Sequence, residues 1–127
     1  VTTVLQRMVL KDHSSEAPIM KQRQRSAFPP NYIHSIDSTH MMMTAIACRE
    51  RGLSFAGVHD SFWTHAGTID TMNSILREKF LELHSRPLLE ELLDQLQEQY
   101  PDVKFPPIPP TGDLKLEEVN KARYFFS

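Results

Sequence analysis

The chain has 127 residues, of which 40% are hydrophobic and 24% charged, and its net charge is −2. These values are typical of one globular domain and do not indicate a strongly basic nucleic-acid-binding protein. The single cysteine, Cys48, excludes an internal disulfide and a zinc ribbon. No apolar run approaches the roughly 18 residues of a membrane span, so we expect no membrane association.

Charge is distributed unevenly along the chain. Residues 1–60 carry seven Lys/Arg and five Asp/Glu, whereas residues 61–127 carry seven and eleven, so the halves have net charges of +2 and −4. Five of the six histidines precede residue 66. We therefore expect polar chemistry in the first half and scaffold in the second. Because the chain starts at Val1 and not at Met, we expect a piece of a longer protein. Residues 1–10 do not have the pattern of a signal peptide.

The first thirty residues predict a strand followed by a loop. Residues 1–10 are rich in β-branched side chains, which favours a strand. Residues 11–31 are polar and end in Phe28-Pro29-Pro30-Asn31, a pattern that argues against a regular helix there. Within this predicted loop, residues 21–25 place three cations in five positions.

A helix is predicted over residues 38–51. Asp37 and Ser38 are good N-cap residues, and Gly52 suits the position after the helix end. Its apolar side is expected to consist of Met41, Met42, Ala45, Ile46 and Cys48.

A β-hairpin is predicted next. Residues 53–59 read as a short, largely buried strand, and Phe62-Trp63-Thr64 is β-prone, with both aromatic rings expected to be buried. The turn-forming pair Asp60-Ser61 separates them. The simplest prediction is a hairpin with His59-Asp60-Ser61 at its tip.

The last third predicts two amphipathic helices and an extended tail. The first spans residues 69–84, with apolar side chains at 3.6-residue spacing. The second begins near Pro87, with Ser85 as a candidate cap, and ends at Pro101. Residues 101–112 contain five prolines and predict an extended connection, before a helical turn at 114–120.

Asp60 is the main candidate for chemistry. Mg²⁺ prefers hard oxygen ligands and often uses one or two carboxylates together with substrate phosphates. A carboxylate at a rigid hairpin tip suits that role. On spacing alone, however, the simpler interpretation is that Asp60 only forms the turn, since turn aspartates are common.

Residues 31–40 form a second candidate, because they are dense in hydrogen-bonding groups where the helix is predicted to begin. A helix N-terminus can bind phosphate, although Asp37 or Ser38 could equally cap it. A small metal-dependent hydrolase using His59, Asp60 and His65 remains a further alternative. Cys48 lies on the apolar side of its helix and predicts a buried, inert thiol.

Three sequence blocks carry a resemblance. Phe28–His40, with its Pro-Pro-Asn-Tyr-Ile-His-Ser-Ile-Asp-Ser-Thr-His run, resembles a block of the mitochondrial and plastid single-subunit RNA polymerases. Phe55–Ala66, with His-Asp-Ser at its centre, resembles the palm motif C of the same family. The ending Tyr124-Phe125-Phe126-Ser127 resembles the aromatic C-terminus of organellar members. The blocks occur in the family's order and together reverse the simpler interpretation of Asp60.

This resemblance implies an α+β fold, namely the C-terminal part of the right-hand polymerase fold with the palm hairpin packed against several helices. Residues 1–127 would form a palm and fingers segment, with a C-terminal foot near residues 113–127. The implied activity is DNA-directed RNA synthesis in mitochondria, or alternatively in plastids. The enzyme would be a nucleotidyltransferase that uses a DNA template, ribonucleoside triphosphates and two Mg²⁺ ions to make an RNA product.

The resemblance also implies roles for individual residues. Asp60 would be the second metal-binding catalytic aspartate, and His59 would lie beside it near the RNA 3′ end or the incoming nucleotide. His40 would contact the template–product hybrid, and Arg23 and Arg25 would lie near nucleic-acid backbone. Phe125 and Phe126 would belong to the foot.

The chain departs from the family in what it lacks. No segment matches the first catalytic Asp, the nucleotide-binding Lys or the ribose-sensing Tyr, which lie earlier in family members. We therefore expect the missing N-terminal part of the polymerase as a partner and no activity from these residues alone. The alternative function is a non-catalytic module, derived from such a polymerase, that binds nucleic acid or a protein.

Overall fold

The computed structural model describes residues 18–125, so the strand predicted over residues 1–10 lies outside the described residues. The chain divides into two compact units, residues 1–33 and 34–127. The described part contains three helices, α1 to α3, and one antiparallel hairpin, β1–β2, which confirms the α+β prediction. In chain order these are α1 (Lys21–Glu50), β1 (Ala56–Val58), β2 (Ser61–Trp63), α2 (Ile69–His84) and α3 (Leu88–Gln99), with 3-10 turns at Ala66–Thr68 and Leu116–Asn120.

Helix α1 begins at Lys21, seventeen residues before the predicted start, and runs through Pro29 and Pro30. The prediction of a loop over this segment is wrong for residues 21–31. Proline fixes φ near the helical value, and its cost is the missing N–H donor. The carbonyls that lose donors belong to Arg25 and Ser26, and both residues are exposed, so water can satisfy them.

The early start of α1 also overturns the helix N-terminus predicted near residue 38. Asp37 and Ser38 lie in the interior of α1 and do not cap it. The backbone N–H groups there are used within the helix, so residues 31–40 do not form a helix-terminal phosphate site.

The C-terminal end of α1 is close to the prediction. Gly52 has φ of +71°, a left-handed conformation that glycine adopts without a Cβ clash. Its N–H donates to the Arg49 carbonyl at 3.0 Å, and the Leu53 N–H donates to the Cys48 carbonyl at 2.8 Å. These two bonds form a Schellman motif, which satisfies carbonyls at the helix end.

The small core lies between the C-terminal half of α1 and helix α2. Its buried members are Ala47, Cys48, Met72, Ile75 and Leu76, and Leu53, Phe55, Phe62 and Phe125 pack against it. The predicted apolar side of α1 is partly wrong, because Met42 and Ile46 are 59% and 56% exposed. The buried face instead comprises His40, Thr44, Ala47 and Cys48. Burial raises the pKa of the Cys48 thiol, as expected for an inert cysteine.

The hairpin has the predicted position but not the predicted burial. Gly57 pairs with Phe62, and Val58 pairs with Ser61 across the turn. All three residues of β1 are exposed, and Trp63 is 53% exposed, so the predictions of a buried strand and a buried tryptophan are wrong in this chain. Phe62 alone turns inward, onto Phe55 at 5.6 Å between ring centroids.

Helix α2 has the predicted bounds, and α3 follows with Pro87 at its N-cap position. Ser85 does not cap α3, because its hydroxyl donates to the Leu81 carbonyl. Residues 103–112 carry no regular secondary structure, as the prolines predict, and Arg77 of α2 donates a hydrogen bond to the Val119 carbonyl of the last turn. None of the described helices is long and apolar enough to cross a bilayer.

Candidate active site at the hairpin tip

The turn of the hairpin consists of His59 and Asp60. His59 has φ of +55°, and it is the one non-glycine residue with positive φ in the described part of the chain. Two-residue hairpin loops need positive φ at their first position, which normally favours glycine. A histidine there costs about 1–3 kcal/mol, a kind of strain that is concentrated at functional sites.

Hydrogen bonds fix the base of this hairpin. The Thr64 hydroxyl donates to the Ser54 carbonyl at 2.7 Å and lies 2.8 Å from the Thr68 hydroxyl. Thr68 in turn donates to the His65 carbonyl. The hairpin is thereby joined to the turn that begins α2, so its tip is held on a fixed support.

A cavity of about 730 Å³ lies beside the tip. One wall comes from α1, where His34, Asp37, Ser38 and Met41 follow helical spacing, and His40 also contributes. The other wall comes from the hairpin, through Gly57, His59, Asp60 and Phe62. Histidine and carboxylate groups thus line one cavity together with the apolar side chains of Met41 and Phe62.

Gly57 lies close to two side chains that line this cavity. A Cβ built at Gly57 would lie 3.4 Å from the Met41 sulfur and 3.4 Å from Phe62 Cδ1, which are ordinary contact distances. Met41 and Phe62 therefore approach the hairpin backbone closely at this position.

Asp60 is exposed and stands between two cavities. It also borders a second cavity of about 430 Å³, formed with Trp63 and the first turns of α2. In the described residues we find no salt bridge or hydrogen bond that occupies its carboxylate. Both oxygens are therefore available to a hard cation, which is the donor chemistry that Mg²⁺ prefers.

No set of three His, Cys, Asp or Glu side chains within residues 18–125 is arranged to hold a metal. A metal at Asp60 would consequently need ligands from outside the described residues. His65 does not line the cavity beside Asp60, so the structure does not assemble the hydrolase site of His59, Asp60 and His65.

His40 is 4% exposed, and its ring links two helices. Its Nε2 lies 2.9 Å from the Leu76 carbonyl of α2, and since a carbonyl only accepts, Nε2 carries the donated hydrogen. The edge of the ring meets Phe80. Burial lowers the pKa of His40 and His84 adds to the effect, whereas the Leu76 hydrogen bond and Asp37 oppose it. His40 is thus a neutral, buried group at the back of the cavity.

The remaining predicted residues lie on two other parts of the chain. Arg23 and Arg25 are exposed in the first turns of α1. Phe125 packs against the core, with its ring 5.1 Å from Phe80 and the Arg77 guanidinium 5.3 Å from its centroid. Phe126 lies outside the described residues.

Sequence reasoning did not single out His34 or Asp37 as partners of the Asp60 cavity. The signal was present, since His34, Asp37, Ser38 and Met41 are spaced at i, i+3, i+4 and i+7. It was missed because the prolines placed the predicted helix start after this face. Recognising that residues 31–37 are helical would have revealed the wall.

The comparisons with known proteins agree with this geometry. The sequence model of the family described as DNA-dependent RNA polymerase matches residues 1–104. This chain belongs to that family. DNA-directed RNA polymerase 1A of Nicotiana tabacum is 56% identical over all 127 residues, and the chain spans 81% of that relative.

Two longer relatives match the whole chain as well. The mitochondrial DNA-directed RNA polymerase 1 of Arabidopsis thaliana is 54% identical, and the chloroplastic DNA-directed RNA polymerase 3 of Nicotiana sylvestris is 55% identical. The chain spans 13% of each. The predicted membership of the organellar single-subunit polymerases is thereby confirmed, and these relatives are named as DNA-directed RNA polymerases.

Proposed function

We propose that this chain contributes part of the active centre of a DNA-directed RNA polymerase, a nucleotidyltransferase that joins ribonucleoside triphosphates on a DNA template. The observation that carries the proposal is the exposed Asp60 carboxylate, held without a protein partner among the described residues at the tip of a pinned hairpin. The relatives named as DNA-directed RNA polymerases support the reaction type.

Asp60 is the residue that would hold a catalytic Mg²⁺ ion. When bound, two such ions supply the positive charge that balances a triphosphate and its pyrophosphate leaving group. Asp60 alone provides too few ligands, so further carboxylates must come from elsewhere in the polymerase. The 127 residues alone are accordingly expected to be inactive.

The neighbouring side chains position the substrate. His59 projects from the strained turn beside Asp60, where it can donate a hydrogen bond to the RNA 3′ end or to the incoming nucleotide. His40 forms the back of the cavity, so its contribution to the template–product hybrid would be to shape this surface as a neutral group. Arg23 and Arg25 would contact nucleic-acid backbone, since both are exposed cations.

In this proposal residues 1–127 form a palm and fingers segment, with the foot near residues 113–127. The packing of Phe125 on the core supports the foot assignment. We place the enzyme in an organelle, with mitochondria as the first choice and plastids as the alternative. Relatives named for either organelle match the chain at 54–56% identity, which supports the organelle and leaves the choice between the two as a proposal.

The test uses a chimera in which this chain replaces the matching 127 residues of the Arabidopsis thaliana relative. Asp60→Asn should lower nucleotide incorporation at least about a thousandfold while leaving template binding intact, because the shape is kept but the metal ligand is weakened. The matched control is Asp113→Asn, which makes the same change at an exposed position away from both cavities and should have no effect.

Two results would contradict the proposal. Transcription by Asp60→Asn within tenfold of the parent chimera would remove Asp60 from catalysis. A parent chimera that binds template yet never extends RNA would favour the alternative, a non-catalytic binding module.

A further inference from the structure

The first turns of α1 carry a stripe of cations and aromatic rings. Lys21, Arg25, Phe28 and Tyr32 are spaced at i, i+4, i+7 and i+11, so they lie along one face of the helix. We call these four residues the basic-aromatic stripe. It lies wholly within residues 1–33, the first compact unit.

The two aromatic rings of the stripe contact each other, and the Phe28 ring is exposed. The Phe28 and Tyr32 rings have centroids 6.1 Å apart and planes within 10° of parallel. This i, i+4 contact shows that helical spacing persists across Pro29 and Pro30. Phe28 is nevertheless 51% exposed, so a large apolar ring remains in contact with water.

The charge of this segment selects an anionic partner. Residues 18–33 contain Lys21, Arg23 and Arg25 and no Asp or Glu. Lys21 and Arg25 are exposed, and no salt bridge within the described residues neutralises them. Exposed aromatic rings alone could bind many kinds of partner. Rings on the same helix face as cations without a neighbouring carboxylate favour a polyanion that also has flat aromatic groups, such as the bases of a nucleic acid.

We infer that the basic-aromatic stripe binds single-stranded nucleic acid, with Lys21 and Arg25 on phosphates and Phe28 and Tyr32 stacked on unpaired bases. Stacking requires open base faces, which a duplex hides, so a single strand fits the rings better than a duplex. The inference rests on the proposed function only for its choice of nucleic acid among polyanions. It goes beyond general backbone attraction, because it requires unpaired bases for the exposed Phe28 ring.

Arg49 supplies the matched control. It lies on the same helix and is exposed like Arg25, but it follows Arg25 by 24 residues and lies outside the stripe. Binding that depended on positive charge alone would lose as much from Arg49→Ala as from Arg25→Ala. The stripe predicts a loss from Arg25→Ala only.

The experiment measures fluorescence anisotropy of a short labelled oligouridine titrated with the 127-residue chain. Arg25→Ala should weaken binding about fivefold or more and reduce the salt slope by about 1, whereas Arg49→Ala should change Kd less than about twofold. Phe28→Ala and Phe28→Leu should each weaken binding about tenfold, because both remove the aromatic ring that stacks on a base. Only Phe28→Ala also removes the apolar volume, so a similar loss in both variants would show that the ring itself is needed. A duplex of equal length should bind more weakly, and neither Phe28 substitution should change its Kd.

Circular dichroism of each variant shows whether the helix is retained. If Phe28→Ala loses the helix, the binding of Phe28→Leu tests the role of the ring instead. Equal losses for Arg49→Ala and Arg25→Ala, or unchanged binding by Phe28→Leu, would overturn the inference. Binding also separates it from the proposed function: the oligouridine titration requires no catalysis, so its result stands whether or not Asp60 proves catalytic in the chimera.

Discussion

Helix α2 buries Met72, Ile75, Leu76 and Leu83, whereas α3, with five leucines of its own, buries no residue within the described part of the chain. Both helices were predicted from the same kind of apolar spacing. The difference lies in their partners, since α2 receives His40 from α1 and binds the Leu116–Asn120 turn through Arg77. Amphipathic spacing thus specifies a helix and its inward face, but not what covers that face.

The largest expected change in the free energy of unfolding comes from replacing one leucine by alanine on α2 and, for comparison, one on α3. Leu76→Ala should lower the free energy of unfolding by about 3 kcal/mol, because Leu76 is fully packed and the substitution leaves a cavity. Leu92→Ala on the half-buried face of α3 should cost less than about 1 kcal/mol. Urea unfolding followed by circular dichroism measures both. Equal costs would mean that α3 is packed as firmly as α2.

A smaller change in the free energy of unfolding is expected from replacing two arginines, one on α2 that contacts packed residues and one that lies exposed beside α3. Arg77→Ala removes the hydrogen bond to Val119 and the stacking over Phe125, and should cost about 1 kcal/mol. Arg86→Ala breaks only the exposed ion pair with Glu91 beside α3, and should cost no more than about 0.5 kcal/mol. Urea midpoints of the two variants decide this. The contrast fails if Arg86→Ala proves the costlier change.

The smallest effect is a pH dependence that arises where α1 is bonded to α2. Burial and His84 lower the pKa of His40 in the folded state, whereas the Leu76 hydrogen bond and Asp37 oppose them. The unfolded chain therefore binds more protons than the folded chain, so stability is complete above about pH 6.5 and falls as the pH drops below it. Unfolding free energies measured across this window should show the loss.

Variants identify the group responsible. His40→Gln keeps a donor for Leu76 but cannot titrate, so it should flatten the dependence. The control is His65→Gln, at an exposed position, which should leave it unchanged. A parent chain whose stability stays constant down to about pH 5 would contradict the burial argument.

The confirmed predictions came from residues that typically end helices or form turns and from long stretches with regular apolar spacing. Gly52 was expected after a helix end and does occupy the left-handed position there. The spacing of Met72, Ile75, Leu76 and Leu83 located α2, because helical spacing places these four side chains on one face, and all four are buried. The hairpin tip followed from the short apolar runs on either side of Asp60. These signals are local, so the sequence carries them directly.

Pro29 and Pro30 show where local reasoning fails. Two adjacent prolines disfavour a helix, yet α1 continues through them, since only two donors are lost and the affected carbonyls are exposed. That single error displaced the start of α1 and concealed the face of His34 and Asp37 that lines the Asp60 cavity. It also assigned residues 31–40 to a helix N-terminus that does not exist.

The sequence by itself determined the family, the α+β class, the hairpin that carries His59 and Asp60, and the bounds of α2. Only the tertiary structure decided that His40 is buried on Leu76, that Asp37 shares a cavity with Asp60, and that no residue of α3 is fully buried within the described part of the chain. The physical reason is that a turn or an amphipathic period depends on neighbours in sequence, whereas burial depends on which surfaces meet. The His40 bond joins residues 36 positions apart, a pairing that no local pattern encodes.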